Sequence, residues 1–180
     1  MGTPITLVVR LVVPLTILRW PLLGALLAIL ADTLDIVIFS IWGFPTWGYQ
    51  ELDKILDLYY LFLEVLVVQR WLLFERSVAS CLFAYRLIGV ALFEITSTRF
   101  LLFVFPNMFE MYFLFVLIAA RFAPAYVLTP LRTLAWLAIL LIPKMLQEYL
   151  LHWARVLDDL VFFDVVADVW RSTRDSLGVR

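Results

Sequence analysis

Five apolar stretches, each of about twenty residues, parted by short loops, decide most of what this chain can fold into. They fall at about 21–43, 51–73, 77–97, 100–121 and 131–152. A helix rises about 1.5 Å per residue, so each can cross the hydrocarbon layer of a bilayer. Of the 180 residues, 64% are hydrophobic, and the mean hydropathy is +0.99, well above the range of soluble domains. The expected fold is therefore a single all-α domain: a polytopic membrane helix bundle of five to six spans.

The segment at 5–18 is apolar but too short to span securely, and it carries Arg10. It reads as an interfacial or re-entrant helix. Arg19 and Trp20 suit an interface, and Pro21 suits the first turn of the span that follows. Pro106 is expected to kink or split the fourth span, and Pro143 to kink the fifth. The tail, 153–180, begins as an amphipathic helix. Its acids (Asp158, Asp159, Asp164 and Asp168) do not share one face. It could lie in the interface, cap the bundle or form a sixth span.

Lys and Arg concentrate on the cytoplasmic side of membrane proteins. Arg10, Arg19, Arg70, Arg76, Arg121 and Arg132 flank one side of the spans, against Arg99 and Lys54 on the other. This predicts a plasma (cytoplasmic) membrane protein with its N-terminus inside. The tail runs against the rule unless it forms a sixth span.

The first span sets Asp32 and Asp35 near its middle. One central Asp costs about 2.5–3.5 kcal/mol there, and a pair three residues apart shares a face and repels itself. The second span adds a stripe, since Asp53, Asp57, Tyr60 and Glu64 lie close to one line of the helix. The third adds Arg86 and Glu94, with Gly89 permitting close helix approach. Asn107 and Glu110 follow Pro106 on the fourth, where the proline can free a backbone carbonyl as a further ligand. On the fifth, Lys144, Gln147, Glu148 and His152 share one broad face.

If the helices alternate in direction, all these groups lie between mid-depth and one side of the bilayer. The expectation is one polar pocket. It holds eight acids (Asp32, Asp35, Asp53, Asp57, Glu64, Glu94, Glu110, Glu148) against Lys54, Arg86 and Lys144, with His152 as a further cation. Crowded carboxyls kept from water take up protons or recruit cations. Oxygen-rich donor sets suit Mg²⁺, Mn²⁺ or Ca²⁺.

The candidate roles follow. Asp32, Asp35, Glu64 and Glu148 are the catalytic candidates. Arg86, Lys144, Asn107, Gln147 and Tyr60 are candidate substrate contacts. A divalent cation would draw on Asp32, Asp35, Asp53, Asp57, Glu110 and His152. Plainer readings stand beside these: Arg86 as a structural partner of the first-span acids, Glu148 and His152 as interfacial polar residues, and Lys144 as a snorkelling cation. Cys81 and His152 are single, which excludes an internal disulfide and bis-histidine haem ligation. With 14 Lys and Arg against 15 Asp and Glu, there is no basic excess for nucleic acid.

Three functions fit. The first is an intramembrane enzyme acting on a phosphate-bearing lipid or isoprenoid with a divalent metal. Prenyltransferases and CDP-alcohol phosphotransferases of membranes use acidic motifs with this logic. The Asn-Asp-x-x-Asp signature of the former and the Asp-Gly…Ala-Arg…Gly signature of the latter are both missing from this sequence. The second is a non-catalytic subunit or assembly factor of a membrane complex. The third is a proton- or cation-coupled transporter. Expected partners are membrane lipids, with a homo-oligomer or a complex subunit as further partners.

Overall fold

The computed structural model describes residues 2–42, 49–98 and 100–149, with the backbone alone for 2–5, 33, 35–42, 49–54, 102 and 148. These residues are helical, with short turns and no strand among them. The helices are α1 (Gly2–Val12), α2 (Pro21–Trp42), α3 (Tyr49–Val68), α4 (Leu73–Thr96), α5 (Phe100–Val104), α6 (Met108–Phe122) and α7 (Pro130–Glu148). A 3₁₀ segment, Val13–Leu18, continues α1 and contains Pro14.

That segment explains how the N-terminal region folds back. Trp20 N donates to Thr16 O at 2.8 Å, Gly24 N donates to Trp20 O at 2.7 Å, and α2 leaves on Pro21. The chain therefore reverses within a few residues. Gly24 faces the backbone of Thr16 and Ile17 so closely that a Cβ would overlap it. Here glycine is needed because nothing larger fits between the 3₁₀ segment and α2. The segment expected to be interfacial or re-entrant thus packs against α2 and α3.

Helix 4 begins after a tight turn in which Arg70 N and Trp71 N donate to Val67 O and Val68 O. It ends at Ser97, which takes the left-handed conformation at φ 53° and donates its N–H to Phe93 O. Helix 4 packs against α5 and α6, with ring contacts along it and at the turns beside it. Trp71 stacks on Phe113 at 5.4 Å, Phe83 meets Phe109 edge-on at 5.3 Å, and Tyr85 meets Phe105 at 4.7 Å. The expected split at Pro106 is present: α5 stops at Val104 and α6 starts at Met108. Helix 7 opens on Thr129, whose hydroxyl accepts from Arg132 N, followed by Pro130; it continues through Pro143.

Ile17, Ala25, Ala28, Leu61, Val68, Ala79, Phe109 and Phe113 belong to one buried apolar cluster. The small residues Ala25, Ala28 and Ala79 let helices approach closely there. The outside is also apolar: Leu23, Leu30, Phe62, Ile88, Ile142 and Leu131 are all exposed. Among the described residues one helix, Leu73–Thr96, is long and apolar enough to cross a membrane. Helix 3 is long but carries too many acids, and the Pro106 break leaves α5 and α6 each too short.

A buried ionisable cluster as candidate functional site

Arg10 lies at the centre of the cluster. The return of the chain at residues 13–20 carries α1 against α2 and α3. The guanidinium Nη2 then sits 2.6 Å from Asp32 Oδ1 of α2 and 2.7 Å from Asp57 Oδ1 of α3. Arg10 is 3% exposed, whereas the two acid side chains are about two-fifths exposed. The hydroxyl of Tyr59 donates to Leu11 O at 3.1 Å and pins the same stretch to α3. A planar, permanently charged fork suits two carboxylates better than an ammonium would. The charge pattern had set Arg10 among the arginines flanking the bundle, and it is instead a buried counter-ion.

Tyr60 follows on α3. It is buried, with Asp57, Glu64, Glu110 and Asp32 all close enough to act on it electrostatically. Of these, Glu110 is the acid that acts on it most strongly. Glu110 is fixed from its own helix. Asn107 caps α6, with its Oδ1 accepting from Glu110 N at 3.4 Å and its Nδ2 donating to Glu110 Oε2 at 2.9 Å. The broken helix therefore delivers a buried carboxylate, held by its own N-cap, into the bundle interior.

The backbone freed by Pro106 is answered from α4. Arg86 Nη1 donates to Phe105 O at 2.9 Å, and the Tyr85 hydroxyl donates to Val104 O. Gly89 makes this possible, because Phe105 packs where a Cβ at that position would stand. The expected close approach at Gly89 is thus present, and the freed carbonyl is used by a side chain. From α7, buried Lys144 donates to Gln147 Oε1 at 3.1 Å. Lys144 and Arg86 both act on Glu110 as nearby positive charges.

Glu64, one turn beyond Tyr60, is 0% exposed, and neither carboxyl oxygen has a hydrogen-bond partner. Glu110 is the charge that acts on it.

The structure thus brings together Asp32, Tyr60, Glu64, Arg86, Asn107, Glu110, Lys144 and, through Arg10, Asp57. Gln147 is exposed at the edge, holding Lys144, and Glu94 is exposed on α4. The side chains of Asp35, Asp53 and Glu148, and the whole of His152, lie outside the described residues. Among the described residues no group of three or more His, Cys, Asp and Glu side chains is gathered to hold a metal. Two expected metal ligands, Asp32 and Asp57, share Arg10, and a third, Glu110, is held by Asn107. The residue that sequence reasoning left out of the site is Arg10. Its signal was present: an arginine inside an apolar segment that must still find a partner.

Together the fold and the site define a class of protein: among the described residues, an all-helical bundle with some ionisable side chains buried beside an apolar core and many large apolar side chains exposed. No protein-family model, curated protein or solved structure matches the chain.

Proposed function

We propose that this is a multi-pass membrane protein whose interior binds and releases protons or small cations during transport. The observation that carries the reading is a graded series of titratable groups. It starts at the half-exposed Asp32 and Asp57, joined through Arg10, and runs by Tyr60 to the buried Glu110 and Glu64. Carboxyls and phenols in sequence, protected from lipid, are the usual furniture of intramembrane proton paths. The apolar exterior supports placement of the bundle in a bilayer, because soluble monomers rarely expose so much contiguous apolar surface.

The test is flux. Protein reconstituted in liposomes with an internal pH-sensitive dye should dissipate an imposed pH gradient, and Tyr60→Phe and Glu110→Gln should each reduce the rate to that of empty liposomes. A wild-type rate equal to that of empty liposomes, with and without a membrane potential or added cations, overturns the reading.

One observation favours a second reading, an enzyme acting on a phosphate-bearing lipid or isoprenoid. Arg86 and Lys144 approach Glu110 from α4 and α7, and two such cations suit a phosphate group. On this reading a metal-dependent turnover is lost in Asp32→Asn and Asp35→Asn while expression is kept. Turnover independent of both residues overturns it.

A further inference from the structure

The other buried charged side chains described above are each answered: Arg10 by Asp32 and Asp57, Glu110 by Asn107, Lys144 by Gln147. Glu64 differs. It is fully buried on α3, among the buried Leu61, Leu63, Val67 and Val68 of the same helix, and both of its oxygens lack a partner. An ionised carboxylate so placed has given up its hydration and gained nothing for it. A protonated carboxyl in the same place is neutral and pays only for unmade hydrogen bonds.

The groups around it come from several elements. Glu110 of α6 acts on it directly, and Tyr60 lies one turn away on α3. Asp57 of α3 and Asp32 of α2 reach Tyr60, and Lys144 of α7 and Arg86 of α4 reach Glu110. Arg10 of α1 is occupied by the two aspartates. Every cation in this set thus addresses another acid of the cluster.

We infer that Glu64 is a proton-binding site inside the bundle, standing as the neutral acid beside Tyr60 and Glu110, with a proton as its exchangeable ligand. The inference rests on the proton-handling reading above and names the residue that would carry the proton.

The experiment is chemical modification of the full chain in phosphatidylcholine vesicles with dicyclohexylcarbodiimide. The carboxylic O–H adds across a C=N bond of the reagent to give an O-acylisourea, which rearranges to a stable N-acylurea; no group leaves, and nothing is oxidised. The reaction needs the acid's proton and an apolar reagent able to enter the bundle. The expected result is an adduct mapped by peptide mass spectrometry to Glu64. It should be lost on raising the pH and unaffected by Na⁺, K⁺ or Mg²⁺, and a water-soluble carbodiimide should not produce it. Absence of a Glu64 adduct at acid pH overturns the inference. So does protection by one of those cations at constant pH, which would make the ligand a metal ion. Because the readout is on the wild-type chain, it does not depend on any variant folding; Glu64→Gln, close in shape, should remove the adduct. Labelled Glu64 without proton flux overturns the transport reading alone, and flux with unlabelled Glu64 overturns this inference alone.

Discussion

Replacing Arg10 with leucine leaves Asp32 and Asp57 without the group that bridges them, so the two carboxylates repel each other uncompensated. Arg10→Leu should therefore unfold well below the wild type in detergent. Adding Asp32→Asn should recover part of the loss, and a thermal double-mutant cycle measures the coupling. An additive pair would mean that the guanidinium contact contributes nothing. Glu64 and Arg86 should behave in opposite ways. Glu64→Leu removes an unpartnered polar group, whereas Arg86→Leu strips the Phe105 carbonyl of its donor. Comparative unfolding should place Glu64→Leu above Arg86→Leu, and the reverse order would count against the assignment of both. At this scale the acids were legible because a charge in an apolar run is conspicuous. Their pairings were not: Asp32 meets an arginine from α1, a contact that spacing within one helix cannot reveal.

Among the elements, the reversal before α2 and the break before α6 do most to build the site, and both depend on a glycine. At Gly24 an added methyl meets the backbone of Thr16 and Ile17, which cannot swing aside. Gly24→Ala should destabilise by about 1–3 kcal/mol, the usual range for overpacking, and should loosen the α1 contact that seats Arg10. Gly89→Ala meets the Cβ of Phe105 and should weaken the α4 contact that answers the broken helix. Melting temperatures of the two variants check both expectations, and unchanged values would show that the neighbours can yield. The break at Pro106 could be read from sequence because proline lacks a donor wherever it sits. The 3₁₀ turn could not, since its shape is set by contact with α2 rather than by Val13–Leu18 alone.

For the whole molecule, the question is what surrounds it. Exposed Arg19, Arg70, Arg121 and Arg132 lie in or beside the turns that precede α2, follow α3 and separate α6 from α7. Cys81 is exposed on α4, the helix best suited to span a bilayer. In sealed vesicles a charged maleimide should leave Cys81 unmodified, while a lipophilic maleimide should label it. Equal labelling by both would place that face in water. Hydrophobic length anticipated the helices and their order, but not the join of the second and third stretches: α3 ends at Val68 and α4 starts at Leu73, four to five residues ahead of the expected limits, because apolar composition runs unbroken through the turn between them. The number that cross a bilayer is a separate matter, since α3 is interrupted by acids and the fourth stretch is divided. The N-terminal hairpin also has a consequence for biogenesis. Arg10 leaves the ribosome before either of its acids, with Asp57 47 residues behind it. Helix α1 can therefore meet Asp32 once α2 has followed, and it completes the Arg10 bridge only when α3 brings Asp57.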